Sequence, residues 1–286
     1  MEPGHDEPGR QALFRSLGED AYEGRRNPGS GALTFVAVSI RGLLIDLDGT
    51  LYVGDEPIPG CREALLRLRS SGLLLRFVTN TTRKPRREVL RGLVNMGFEV
   101  VEAEIFTPAR AAALMLRGRR CHPLVAESLL EDLEGMVPDD DSPEYVLVGD
   151  LGEGFTYARL NVAFRHLVDG AELLALQKNR YWRQESGLFL DAGPFVAALE
   201  YASGKTAAVV GKPERDFFRL ALEDLGQGAG EVAMVGDDPE ADVAGARAAG
   251  LEGVQVKTGK YAAAGDAEEA DLILESFAGL PGALGL

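Results

Sequence analysis

From Arg41 onward, short uninterrupted apolar runs alternate with stretches whose apolar positions recur every three or four residues. A run buried on both faces reads as a strand of a parallel sheet, and an amphipathic stretch as a helix laid across it. Residues 42–47 form the first such strand, 62–70 the first helix and 73–78 the second strand. A second set follows, with strands at 207–210, 231–235 and 253–256 separated by helices at 214–225 and 240–249. Between the two sets lie further strands at 145–148 and 172–176 and a helix at 157–167. The alternation predicts an α/β protein: a doubly wound parallel-sheet core from 38–120 and 205–286, with an α/β cap inserted at 121–204. The competing arrangement joins every strand into one continuous sheet. Residues 1–37, rich in Gly, Pro, Glu and Arg, lack this periodicity and read as a disordered tail.

Composition narrows the class. A chain of 286 residues with 45% hydrophobic and 26% charged positions is that of an ordinary globular protein. No apolar run is long enough to span a bilayer, and the first residues lack a basic segment followed by an apolar one, so a cytoplasmic location is expected. Cys61 and Cys121 have no metal-ligand spacing and read as reduced packing residues. With 30 basic against 45 acidic side chains the formal charge is −15, a surface that repels nucleic-acid phosphates. The partner expected is a small molecule, and an anionic one requires a locally positive pocket.

Candidate chemistry collects at strand ends, where ligands bind in open parallel sheets. Asp46-Leu-Asp48-Gly-Thr50 closes the first strand with two carboxylates, a charge that a hard cation such as Mg²⁺ would balance. Alone, such a run is also a plain turn. Thr79-Asn80 closes the second strand, Gly211-Lys212-Pro213 follows the third, and Gly236-Asp237-Asp238 with Asp242 closes the fourth. The segment Ser203-Gly-Lys-Thr206 suggests a P-loop, but Leu199 stands where the motif needs glycine. Three histidines are too few for a dinuclear histidine-rich metallophosphatase.

This ordered set resembles the four motifs of the haloacid dehalogenase superfamily of phosphohydrolases, matched by Asp46 with Asp48, Thr79, Lys212, and Asp237 with Asp242. The position of the insertion is similar to the subclass with a large α/β cap of the NagD and p-nitrophenyl phosphatase kind. Residues 76–82, 178–181 and 210–213 resemble the phospholysine phosphohistidine inorganic pyrophosphate phosphatase branch.

The resemblance implies a Rossmann-like core with a type C2 cap and a Mg²⁺-dependent phosphatase. Asp46 is then the nucleophile that carries an aspartyl-phosphate, and Asp48 the general acid and base. Transport ATPases of the superfamily have Thr in place of that second aspartate. Thr79 and Asn80 are expected at the phosphoryl oxygens, and Lys212 neutralises charge. Mg²⁺ falls to Asp46, Asp237 and the backbone carbonyl of Asp48, with Asp238 and Asp242 supporting it; Asp242 equally suits a helix start. In the cap, Lys178, Arg180 and Tyr181 are expected to contact the leaving group, or else to form a solvated loop. Capped relatives pair through the cap, so a homodimer is expected. The rival function on this fold is a phospho-acceptor or binding protein without turnover.

Overall fold

The computed structural model describes residues 40–184, 187–267 and 270–286. The expected disordered tail lies outside them. In chain order the strands of the two sheets, with one separate hairpin, are β1 (Gly42–Asp46), β2 (Leu74–Val78), β3 (Ile105–Phe106), β4 (Arg120–Leu124), β5 (Val137–Pro138), β6 (Tyr145–Val148), β7 (Glu172–Ala175), β8 (Tyr181–Gln184), β9 (Gly187–Leu190), β10 (Ala208–Val209), β11 (Val232–Gly236), β12 (Glu252–Val256) and β13 (Leu272–Leu274). The longer helices are α1 (Cys61–Ser70), α2 (Arg86–Asn95), α3 (Pro108–Met115), α4 (Tyr157–Val168), α5 (Ala192–Ser203) and α6 (Arg215–Leu225).

One sheet has the order β13-β12-β11-β1-β2-β3, parallel throughout. The chain winds outward from β1 in both directions, so the crevice at the strand ends opens beside β1, between β2 and β11. A second parallel sheet has the order β10-β7-β6-β4-β5. The strands therefore do not merge into one sheet. The antiparallel hairpin β8–β9 belongs to neither.

Packing follows the two-residue period of buried strands. In β1, Leu44 faces one cluster while Leu43 and Ile45 face another; in β11, Met234 and Val232 oppose Ala233 and Val235 in the same way. Within the inserted unit, Val146 and Val148 meet α4 and α5 through Ala163, Leu167, Val196 and Leu199. The opposite face of β6, with Tyr145 and Leu147, joins the cluster that holds Phe106 and Met234 of the first sheet and Phe217 of α6. One apolar core therefore runs through both units, and each fully buried leucine contributes about 1.5–3 kcal/mol to it.

Two elements differ from expectation. The strand at 207–210, read as part of the first sheet, is the short β10, and it pairs with β7 of the second sheet through Ala208–Leu174 and Val209–Ala175. Its neighbours are selected by tertiary pairing, to which an apolar run is indifferent. The helix expected at 240–249 opens as a π-helical turn at Pro239–Ala244 and becomes α-helical only over Gly245–Ala248. Among the described residues, no helix is long and apolar enough to cross a membrane.

Candidate active site

The ends of β1, β2 and β11 lie side by side and deliver Asp46, Thr79 and Asp237 to the rim of one crevice. Gly49 follows in a left-handed conformation, φ +92°, and a Cβ there would collide with the carboxylate of Asp237. The turn after β1 thus needs glycine both for its backbone angle and for the approach of the acid.

Lys212 reaches this crevice from the second sheet, three residues beyond the Val209 end of β10. Its peptide is held by Asn80, whose side-chain N–H donates to the Lys212 carbonyl and whose side-chain oxygen accepts from the Lys212 N–H, both at 2.8 Å. The ammonium then lies 2.5 Å from Asp46 Oδ1 and 2.6 Å from Asp242 Oδ1. Burial acts against its charge, but the Asp242 and Asp46 carboxylates outweigh that and hold Lys212 protonated above the usual lysine range.

Carboxylate oxygens of Asp46, Asp237 and Asp242 lie within 4.8 Å of one another, all three buried. Burial pushes each carboxyl above the usual range, Asp242 to about 7. Burial thus penalises the ionised forms, and when all three are ionised the one ammonium of Lys212 leaves a double negative charge uncompensated. A divalent hard cation with oxygen ligands fits that imbalance.

The remaining oxygens show how the acids divide their work. Asp242 is fully buried and has both oxygens engaged, one by Lys212 and the other by the Asp238 N–H at 3.1 Å. Asp238 caps the turn, accepting from the N–H groups of Glu240 and Ala241 at 3.1 and 3.0 Å. Helix-start stabilisation therefore belongs to Asp238, and Asp242 faces the site. Asp237 accepts the backbone N–H of Lys260 at 2.6 Å, while the Lys260 ammonium meets Asp238 at 2.9 Å.

A cavity of about 510 Å³ opens over these groups, lined by Asp46, Asp48, Thr79, Asn80, Lys212 and Asp237, and further out by Tyr52, Asp55, Lys84 and Lys260. Asp48 is exposed to it. The expected cap contacts are arranged differently. Lys178 turns away to Glu200, 2.8 Å distant on α5, and neither Arg180 nor Tyr181 lines the cavity; Asn179 does. The sequence reading also missed Lys260 and Lys84, since an isolated lysine carries no local pattern.

Residues 43–136 match the family described as haloacid dehalogenase-like hydrolase, and residues 209–280 match a second HAD-hydrolase-like description. A bovine haloacid dehalogenase-like hydrolase domain-containing protein 2 is 45% identical over 223 residues, covering 77% of this chain and 85% of that protein. The chain belongs to the haloacid dehalogenase-like hydrolases. Within the family it is also similar to bovine phospholysine phosphohistidine inorganic pyrophosphate phosphatase, 43% identical over 228 residues and covering 77% of this chain and 84% of the relative. Among solved structures, the 4-nitrophenylphosphatase of Thermotoga maritima superposes with a TM-score of 0.78 at 27% identity, over 87% of this chain and 99% of that one.

Proposed function

We infer that this chain, a phosphatase of the haloacid dehalogenase-like hydrolase family, hydrolyses small phosphate monoesters through a transient aspartyl-phosphate on Asp46. The observation that carries this reading is the meeting of Asp46, Asp237, Asp242 and Lys212 at the floor of a polar cavity. Asp46 and Asp237, with the backbone carbonyl of Asp48, would hold Mg²⁺. When bound, the ion neutralises charge on the phosphoryl oxygens.

Asp46 Oδ1 is oriented by Lys212, and the carboxylate attacks phosphorus in line with the ester oxygen. Lys212 is itself fixed by Asp242 and by the Asn80 clamp on its peptide, so its ammonium is already in place for the developing negative charge. Asp48, exposed on the cavity wall, donates a proton to the leaving oxygen and then takes one from the water that opens the acyl phosphate. Such proton transfer contributes roughly 10²–10⁴-fold. Thr79 and the neighbouring backbone bind the remaining phosphoryl oxygens. The name of the bovine pyrophosphate phosphatase supports including pyrophosphate and phosphoamidates among the substrates tested.

The test is phosphate release from a panel of esters, pyrophosphate and phosphoamidates, with Mg²⁺ and with EDTA. We expect turnover that EDTA abolishes and that Asp46→Asn reduces by at least 10³-fold, the scale expected for loss of a nucleophile. Stoichiometric labelling without turnover would instead make the protein a phospho-acceptor, and undiminished Asp46→Asn activity would remove the nucleophile assignment.

A further inference from the structure

Among the described residues, Asn179 is the one residue of the inserted unit that lines the cavity over Asp46. Its position is held from several directions. The Asn179 N–H donates to the side-chain oxygen of Gln177, and the Gln177 amide N–H donates to Asp191 Oδ1. Asp191 in turn caps α5 by accepting the Ala192 N–H at 2.8 Å. The Asn179 carbonyl accepts the Gly193 N–H at 3.0 Å. The loop lies so close to the start of α5 that a Cβ on Gly193 would fall 2.5 Å from the carbonyl oxygens of both Lys178 and Asn179.

Gln177 and Asp191 are buried, whereas Asn179 is exposed. A buried polar pair thus registers one accessible carboxamide against the reaction site, while its neighbour Lys178 is occupied by Glu200. A carboxamide offers donor and acceptor without charge. It suits a leaving group that carries a hydroxyl or carbonyl, and a site built to hydrogen-bond such a group discriminates against an analogue that lacks it.

We propose that Asn179 is the residue through which the cap reads a hydroxyl- or carbonyl-bearing leaving group, and that Gln177 is its positioning residue. This rests on the phosphate-ester reading above. The phosphoryl group itself is bound by the strand ends of the first sheet and by Lys212, so inorganic phosphate, which has no leaving group, does not meet Asn179.

The experiment measures KM for glycerol 1-phosphate, a hexose phosphate, a nucleoside monophosphate and phenyl phosphate, and the inhibition constant of inorganic phosphate. Proteins compared are the wild type, Asn179→Ala, Gln177→Ala and the double variant, each with its thermal unfolding midpoint. Asn179→Ala should raise KM for the best hydroxyl-bearing ester roughly three- to tenfold, the value of one hydrogen bond. KM for phenyl phosphate and the inhibition constant of phosphate should stay unchanged. Gln177→Ala should shift KM in the same direction and add nothing in the Asn179→Ala background. A purely structural role for Gln177 would lower the unfolding midpoint and the active fraction while leaving KM in place. The proposal is overturned if KM for the hydroxyl-bearing ester does not move, if phenyl phosphate or inorganic phosphate shifts equally, or if the wild type prefers phenyl phosphate to every hydroxyl-bearing ester. Multiplying effects in the double variant remove Gln177 alone from its role. A wild type that hydrolyses no ester overturns the phosphatase reading and this proposal together, whereas turnover with an unmoved KM overturns only the assignment of Asn179.

Discussion

Gly49 shows how much of the site depends on a missing side chain. Its φ of +92° and the proximity of the Asp237 carboxylate leave no room for a Cβ, so Gly49→Ala must move either the turn or the acid. Such a strained substitution costs about 1–3 kcal/mol, and the displacement falls on a group proposed to hold the metal. We expect kcat/KM to drop at least 100-fold, with a modest loss in thermal unfolding midpoint, as positioning errors near 1 Å commonly produce. Activity within threefold of wild type would show that the turn adapts. At this scale much was legible in the chain: Asp46, Asp48, Thr79, Lys212 and Asp237 were singled out by residue type and strand-end position, and all five line the same cavity. Asp242 was ambiguous, because a carboxylate one turn into a helix looks the same from sequence whether it serves the dipole or a lysine 30 residues away.

Elements are tied to one another by polar contacts whose partners are distant in sequence. Arg69 at the end of α1 grips Glu104, just before β3, through two bonds of 2.6 and 2.9 Å, and Glu104 also accepts the Val101 N–H. Burial alone would raise the Glu104 carboxyl, but the Arg69 and Val101 bonds offset it and hold it below the usual range. Because the folded value is lowered, the stabilisation is present above the unfolded pKa of about 4.3 and fades as pH falls through it toward the folded value. Glu104→Gln should therefore cost about 1 kcal/mol at pH 7, and its urea unfolding curve should draw steadily closer to that of the wild type as pH falls below about 4.3. A difference that persists undiminished at pH 3.5 would assign the effect to packing. The helices themselves follow from local pattern. In α1 the buried Cys61, Ala64, Leu65 and Leu68 recur at helical spacing, and the predicted boundary is off by a single residue.

Across the whole molecule, the two sheets are joined by a shared apolar cluster and by ion pairs that cross between them. Arg83 meets Asp150 at 2.8 Å, Arg87 meets Glu131 at 2.8 Å, and Arg86 meets Asp132 at 3.0 Å while its backbone N–H donates to the same carboxylate. Asp132 is only 2% exposed, so Asp132→Ala strips the Arg86 N–H of its acceptor and leaves the guanidinium with only Glu102 at 3.8 Å. The expected cost is about 3 kcal/mol, with faster proteolysis of the inserted unit, and an unfolding free energy unchanged within 0.5 kcal/mol would mean that this contact is dispensable. The sequence by itself determined the α/β class, seven of the strands and the order of the chemical groups. Apolar periodicity, glycine turns and strand-end acids are properties of a few consecutive residues, and they act before any distant contact forms. Only the tertiary structure decided that 208–209 pairs with the second sheet, that Lys212 enters the crevice from that sheet, and that Asn179 rather than Lys178 overlooks Asp46. Each of those outcomes is a choice among distant partners, made by strand pairing and by close packing, which no short window of sequence contains.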